Sequence, residues 1–202
     1  MKTRSFVFLG IALLLAVLLI ALVSTQAAKP PVFQGSVIDP PTPVKEIFLH
    51  DQDGQPFRLS DQHGKVVLLF FGYTYCPDVC PATLVAFRQI HEKLSERANE
   101  VAFVFVTVDP DRDTPAQLKT HLALFSPDFI GLTDDLSQLE TVWADYYVDP
   151  KKQPGAGQAG YTVEHTSRVY VIDRAGNLRL TFLFGLSSEA MFQDIKTLLD
   201  EK

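Results

Sequence analysis

Two continuous apolar runs, KVVLLFFGY from Lys65 and VAFVFVTV from Val101, constrain the fold of this chain more than any other feature. Each has the length of a strand and neither alternates polar with apolar residues. Both faces of each strand must therefore be covered, as in the middle of a parallel sheet. Between them, PATLVAFRQIHEKLSERANE places apolar residues at Leu84, Phe87, Ile90 and Leu94, the three-to-four spacing of an amphipathic helix. A strand, a helix and a strand in this order predict a crossover between parallel neighbours.

The remaining elements fill in around that unit. EIFLHDQDGQPFRL reads as a hairpin about an Asp53-Gly54 turn that leads into a second turn at Gly64. In DTPAQLKTHLALF a helix starts near Thr114 or Pro115, with Thr114 as N-cap, Pro115 at the first helical position and Gln117 completing a capping box. FIGLT reads as a short strand, SQLETVWADY as a short helix and KKQPGAGQAG as a loop. TSRVYVID and LRLTFLF form a hairpin about Ala175-Gly176-Asn177, and SSEAMFQDIKTLLDE is a closing helix. The order predicts an α/β domain with a mixed central sheet and helices on both faces, and two cysteines, Cys76 and Cys80, between the end of the first buried strand and the start of the next helix make it thioredoxin-like. GAGQAG, Gly155 to Gly160, satisfies the dinucleotide-binding fingerprint letter for letter. It follows VDPKKQP rather than a buried strand and opens no helix, so it reads instead as a mobile loop.

The N-terminus is of another kind. MKTR, with Lys2 and Arg4, precedes FVFLGIALLLAVLLIALV, an uncharged run of 18 residues from Phe6 to Val23. Such a run can cross a bilayer and exceeds the apolar region of an ordinary cleavable signal. Residues 1–28 are therefore expected to form an uncleaved signal-anchor, a single transmembrane helix with its cations in the cytoplasm. Cleavage after Ala27 is the competing expectation, and lipoprotein anchoring is excluded because no cysteine follows the run. Residues 29–43, KPPVFQGSVIDPPTP, read as an extended proline-rich tether, and residues 44–202 as the folded domain. With a formal charge of −6 and scattered lysines and arginines, the chain offers no basic footprint for nucleic acid.

Its only two cysteines, Cys76 and Cys80, lie in LLFFGYTYCPDVCPATL, each followed by a proline. In an exported chain a structural disulfide is the ordinary reading. Closing so short a loop, however, restrains the unfolded state by only about 2 kcal/mol, against nearly 5 for a loop of about a hundred residues. A redox or metal role is favoured. Helical geometry that begins between Pro77 and Pro81 sets both sulfurs near a helix N-terminus, where thiolate is stabilised. Residues four apart share a face, so the sulfurs can join each other or converge on one ion. Two thiolates are too few for a closed structural zinc site and suit Cu(I) with one further donor. His50 and His63 flank the opening hairpin, and His91 and His121 lie within helical patterns; all four read as solvated or packed. His165, in YTVEHTSRVYVID, stands immediately before a late strand, where a thioredoxin-type fold brings the entering loop beside the dithiol. It is the candidate third donor. Two rivals use the thiols without metal: a thiol-disulfide oxidoreductase, with Cys76 attacking and Cys80 resolving, and a thiol peroxidase, suggested by Thr74 near Cys76. Asp78 reads as a turn former or a site-tuning charge. In DPDRDTP, Asp109 ends a strand and Arg112 pairs with a neighbouring carboxylate.

Together and in this order, GYTYCPDVCP, TVDPDRDTP and YTVEHTSRVYVID resemble the Sco/SenC family over roughly Pro43 to Leu199. The resemblance implies a membrane-tethered copper protein of thioredoxin fold that assists assembly of the CuA centre of cytochrome c oxidase. It implies oxidase subunit II as partner, with periplasmic copper chaperones or thiol reductants beside it. The implied location is the inner membrane, with the C-terminal domain facing the periplasm or cell exterior. One copper per chain falls on Cys76, Cys80 and His165, and a redox-active disulfide on Cys76 and Cys80. Where family members commonly carry aspartate before the histidine, this chain has Glu164.

Overall fold

The computed structural model describes residues 14, 32–154 and 160–201. Apart from Leu14, the expected signal-anchor and the cleavage site after Ala27 lie outside the described residues, as does Gly155–Ala159 of the glycine-rich loop. Among the described residues, no helix is long and apolar enough to cross a membrane.

The strands are β1 (Ser36–Pro43), β2 (Phe48–Asp51), β3 (Pro56–Arg58), β4 (Val66–Gly72), β5 (Val101–Thr107), β6 (Ile130–Thr133), β7 (Lys151–Pro154), β8 (Tyr161–Glu164), β9 (Val169–Ile172) and β10 (Asn177–Phe182). The helices are α1 (Val79–Leu94), α2 (Pro115–Ala123), α3 (Leu136–Asp145) and α4 (Ser188–Asp200). Eight strands form one sheet in the order β1-β10-β9-β4-β5-β6-β2-β3, and β7 pairs with β8 in a separate ribbon. β4, β5 and β6 run parallel, whereas β9, β10, β1 and β2 join antiparallel.

Every residue of β4 and β5 is buried, as their unbroken apolar sequence requires. Neighbouring residues of a strand point to opposite faces, and the two covers are visible at Phe70 and Phe71. The Phe70 ring meets Phe87 of α1 edge-on, while Phe71 packs against Tyr146 at the end of α3. Helices thus cover both faces of β4.

Three local expectations change. The tether reading is corrected over Ser36–Pro43, which forms an edge strand antiparallel to β10; Gln34 and Gly35 are held before it by the buried Asp194 carboxylate. Proline is tolerated at an edge because an outward-facing backbone needs no N–H partner. The compact unit accordingly begins at Phe33 rather than Val44. The loop reading of KKQPGAGQAG is corrected over Lys151–Pro154, where pairing with Tyr161–Glu164 makes a strand. Finally, Thr114 caps α2 by accepting from the Gln117 amide at 3.3 Å, but the Gln117 side chain does not close a capping box. It donates instead to Thr74 Oγ1 at 3.2 Å, because that hydroxyl lies beside the helix start.

Candidate metal centre

β4 ends in Gly72 and passes into a turn closed by the Cys76 amide on the Tyr73 carbonyl, 3.2 Å. α1 then starts at Val79, so Cys80 lies in its first turn and Pro81 falls where a helix needs no amide donor. Cys76 is half-buried and Cys80 buried, and both are free thiols. The Cys76 sulfur accepts the Cys80 amide at 3.4 Å and so occupies the anion-favouring end of the helix. Asp78, the N-cap residue, makes no side-chain capping bond.

The two sulfurs divide one proton unequally. Cys76 is lowered to about 3, first by the hydrogen bond from the Cys80 thiol, against burial, and further by the backbone at Asp78 and Cys80. Cys80 is pushed up, because it keeps the shared proton and lies buried beside the Cys76 charge. The outer sulfur is the thiolate and the inner sulfur its donor.

His165 follows β8 directly. Its Nδ1 lies 2.7 Å from the Thr166 carbonyl, to which an Nδ1–H donates, leaving Nε2 with its lone pair in the neutral ring. Nε2 stands 3.8 Å from the Cys80 sulfur. Tyr73 and Phe70 wall the ring edge-on, with centroids 5.8 and 6.3 Å away. Among the described residues, no three His, Cys, Asp or Glu side chains are closed into a ready-made metal cage. The donor set is open, but its chemistry, two soft sulfurs and one borderline nitrogen, fits copper.

The other four histidines are elsewhere. His50 pairs with Asp134 at 2.7 Å and His91 with Asp128 at 3.1 Å, while His63 lies under the Gly176 turn. His121 packs on Phe125 and is held below its ordinary value by burial. Glu164 is exposed and accepts from Gln153 at 3.3 Å.

The supporting residues were not legible as such. Asp113, fully buried, accepts from the Thr74 amide and hydroxyl, the latter at 2.7 Å, and from Thr107 Oγ1 at 2.7 Å. Thr74 is thereby turned to Asp113. Asp109, also fully buried, receives Arg112 Nε at 2.5 Å and the Tyr161 hydroxyl at 2.7 Å. The expected pairing of Arg112 with a carboxylate is present, and the Arg112 guanidinium lies 3.7 Å from the Tyr161 ring centroid. The signal available in advance was the pair of aspartates four apart, just behind a buried strand that ends in Thr107.

A sequence profile of the family described as SCO1/SenC matches residues 39–200. The chain belongs to the SCO1/SenC family. A SCO2-like protein of Rickettsia felis is 35% identical over 149 residues, covering 73% of each chain. The solved structure of Bradyrhizobium japonicum ScoI with copper bound is 35% identical, with a TM-score of 0.72, and covers 78% of this chain and 100% of that one. The solution structure of apo Sco1 from Thermus thermophilus is 34% identical, with a TM-score of 0.74, and covers 85% of this chain and 100% of that one. The thioredoxin-like fold expected from the element order and the place of the dithiol is the family's fold.

Proposed function

We propose that this chain is a copper-binding assembly factor for cytochrome c oxidase, holding one copper through Cys76, Cys80 and His165. Its task is to deliver that copper to, or prepare, the CuA site of oxidase subunit II. The observation that carries the reading is the approach of His165 Nε2 to Cys80 Sγ, 3.8 Å, with Nδ1 already committed to a carbonyl. An imidazole so oriented offers its free nitrogen to the same space as the two sulfurs. The Cys76 thiolate and the Cys80 thiol, once deprotonated, supply soft donors, and His165 supplies the nitrogen that favours Cu(II) over bare dithiolate. A relative solved with copper bound supports copper as the metal. The anchor at Phe6–Val23 holds the domain at the outer face of the inner membrane, within reach of a membrane-bound oxidase.

Copper titration of the reduced chain tests this. One copper per chain, with intense thiolate-to-Cu(II) charge-transfer bands, is expected; their absence with both thiols reduced overturns the reading. His165→Ala should nearly abolish Cu(II) retention and leave Cu(I) weakened but measurable.

One observation favours a second use of the same thiols. A half-buried Cys76 thiolate beside a proton-bearing Cys80 has the form of an attacking and a resolving thiol. Cys76 would attack a target disulfide, and Cys80, losing its proton, would displace the target thiolate and close the Cys76–Cys80 disulfide. Such a reductase would keep the CuA cysteines ready for metal and would not need His165. Oxidase assembly that survives His165→Ala would place this activity first.

A further inference from the structure

Resting on the reading of His165 as a ligand, we infer that the segment from Thr107 to Gln117 is a clamp that sets the separation of the imidazole from the two thiols. The segment grips the two halves of the site with different carboxylates, Asp113 and Asp109. On the thiol side, Asp113 accepts from Thr74 and Thr107, while Gln117 donates to Thr74 Oγ1 two residues before Cys76. On the histidine side, Asp109 accepts the Tyr161 hydroxyl at 2.7 Å, and Arg112 Nη1 donates to the Tyr161 carbonyl at 3.1 Å while its guanidinium lies over the Tyr161 ring. Lys152 of the same ribbon reaches Asp111 at 2.5 Å.

The clamp itself is stiff. Its residues follow directly on a buried strand and lead into a capped helix. Between those ends the Asp109 amide donates to Thr107 Oγ1 at 2.9 Å, and the Asp113 amide donates to the Asp109 carbonyl at 2.9 Å. The ribbon it holds is the opposite. β7 and β8 pair with each other and not with the main sheet, and all four residues of β7 are exposed. A two-stranded ribbon alone is marginally stable in water. The place of His165, four residues beyond Tyr161, therefore depends on what pins β8: the core packing of buried Val163, its backbone hydrogen bond to Tyr73, and the grip on Tyr161. Asp109 and Arg112 are positioning residues for the imidazole, and Asp113 is one for the thiols. Arg112 touches both halves, since its guanidinium also lies 4.8 and 5.7 Å from the Tyr75 and Tyr73 ring centroids, whereas the Tyr161 hydroxyl and the Asp113 carboxylate each serve one half and can be altered separately.

The test uses the reduced, metal-free chain and then its copper forms, in wild type, Tyr161→Phe, Arg112→Lys and Asp113→Asn. Tyr161→Phe removes one hydroxyl and keeps the ring, so it preserves the fold even where a change at buried Asp109 does not. Hydrogen exchange at Tyr161–Glu164 should quicken about tenfold in Tyr161→Phe and Arg112→Lys, the loss expected for one hydrogen bond to a charged group, with β4 and β5 unchanged. In those two variants the Cu(II) charge-transfer bands should weaken and transfer of Cu(II) to a chelator should quicken about tenfold, while Cu(I) retention stays near wild type. Asp113→Asn should reverse the pattern, quickening exchange at Thr74–Cys76 and sparing Tyr161–Glu164. Unchanged exchange at Tyr161–Glu164 in both histidine-side variants overturns the clamp, as does equal quickening through β4 and β5, which is general destabilisation. If wild type shows no copper bands, the proposed function falls, and exchange in the metal-free chain still decides the clamp.

Discussion

Gly72→Ala tests how tightly the metal centre is tied to the core. A Cβ at Gly72 would stand 2.7 and 2.9 Å from two ring carbons of Phe105 and 2.9 Å from one of Phe70. Carbon atoms rest about 3.5–4.0 Å apart, so the rings must move by most of an ångström. Neither has room: Phe70 and Phe105 are buried, and their centroids are 6.0 Å apart. Overpacking of this kind costs about 1–3 kcal/mol, and alanine returns about 0.4–1 by stiffening the unfolded chain. A net loss of about 1–2 kcal/mol follows, which for a domain of this size lowers Tm by about 2–8 °C. The displacement should also reach the site, because the Phe70 ring meets His165 edge-on. Cu(II) bands should shift in the variant, while Cu(I) retention changes little. Thermal unfolding of the reduced, metal-free protein measures the stability arm. Phe105→Leu removes the clashing ring carbons, so Gly72→Ala should cost about 1 kcal/mol less in that background. An unaltered Tm for Gly72→Ala, or strict additivity of the two changes, would refute the reasoning.

Three further outcomes are expected. Iodoacetamide should label Cys76 far below the ordinary thiol pKa of about 8.5 and leave buried Cys80 unmodified; peptide mapping across pH reads this, and a single step near the ordinary value would refute the shared-proton account. A lowered folded pKa also makes Cys76 contribute stability that is full above about pH 8.5 and is lost as pH falls toward about 3, so Cys76→Ser should flatten that part of the Tm-pH curve. Asp194→Ala should destabilise the domain by about 1–3 kcal/mol, since its carboxylate accepts the Gln34 amide at 2.9 Å and the Gly35 amide at 2.7 Å. Exchange at those two amides should quicken, and unchanged protection there would show that β1 holds the segment without Asp194.

The parts of the fold legible in the sequence are those whose cause lies within a few residues. The apolar runs of β4 and β5, the period of α1 and the Thr114-Pro115 start of α2 each follow from pattern and capping, and each is where it was expected. The cysteine pair was legible for the same reason, since a turn before the helix start and the first helical turn suffice to bring Cys76 against the Cys80 amide. His165 was legible more indirectly, through a strand order that carries its loop to the end of β4, 85 positions from Cys80.

What local pattern could not decide is which distant groups meet. Ser36–Pro43 carries no strand pattern and becomes one because β10 presents an open edge to it. Lys151–Pro154 has no apolar alternation and pairs with β8, which buried Val163 and the Tyr161 hydroxyl tie to the rest of the chain. Asp109 and Asp113 differ by four positions in one motif, yet one serves the histidine and the other the thiols. Backbone sterics and side-chain period act over a turn or two and are written in order along the chain. The pairing of a buried carboxylate is chosen by whichever donors the closed core leaves within reach, because a buried charge must be satisfied by something. Local pattern thus specified the sheet's centre and the chemistry of the dithiol, whereas the tertiary structure alone chose the partners that hold the imidazole against it.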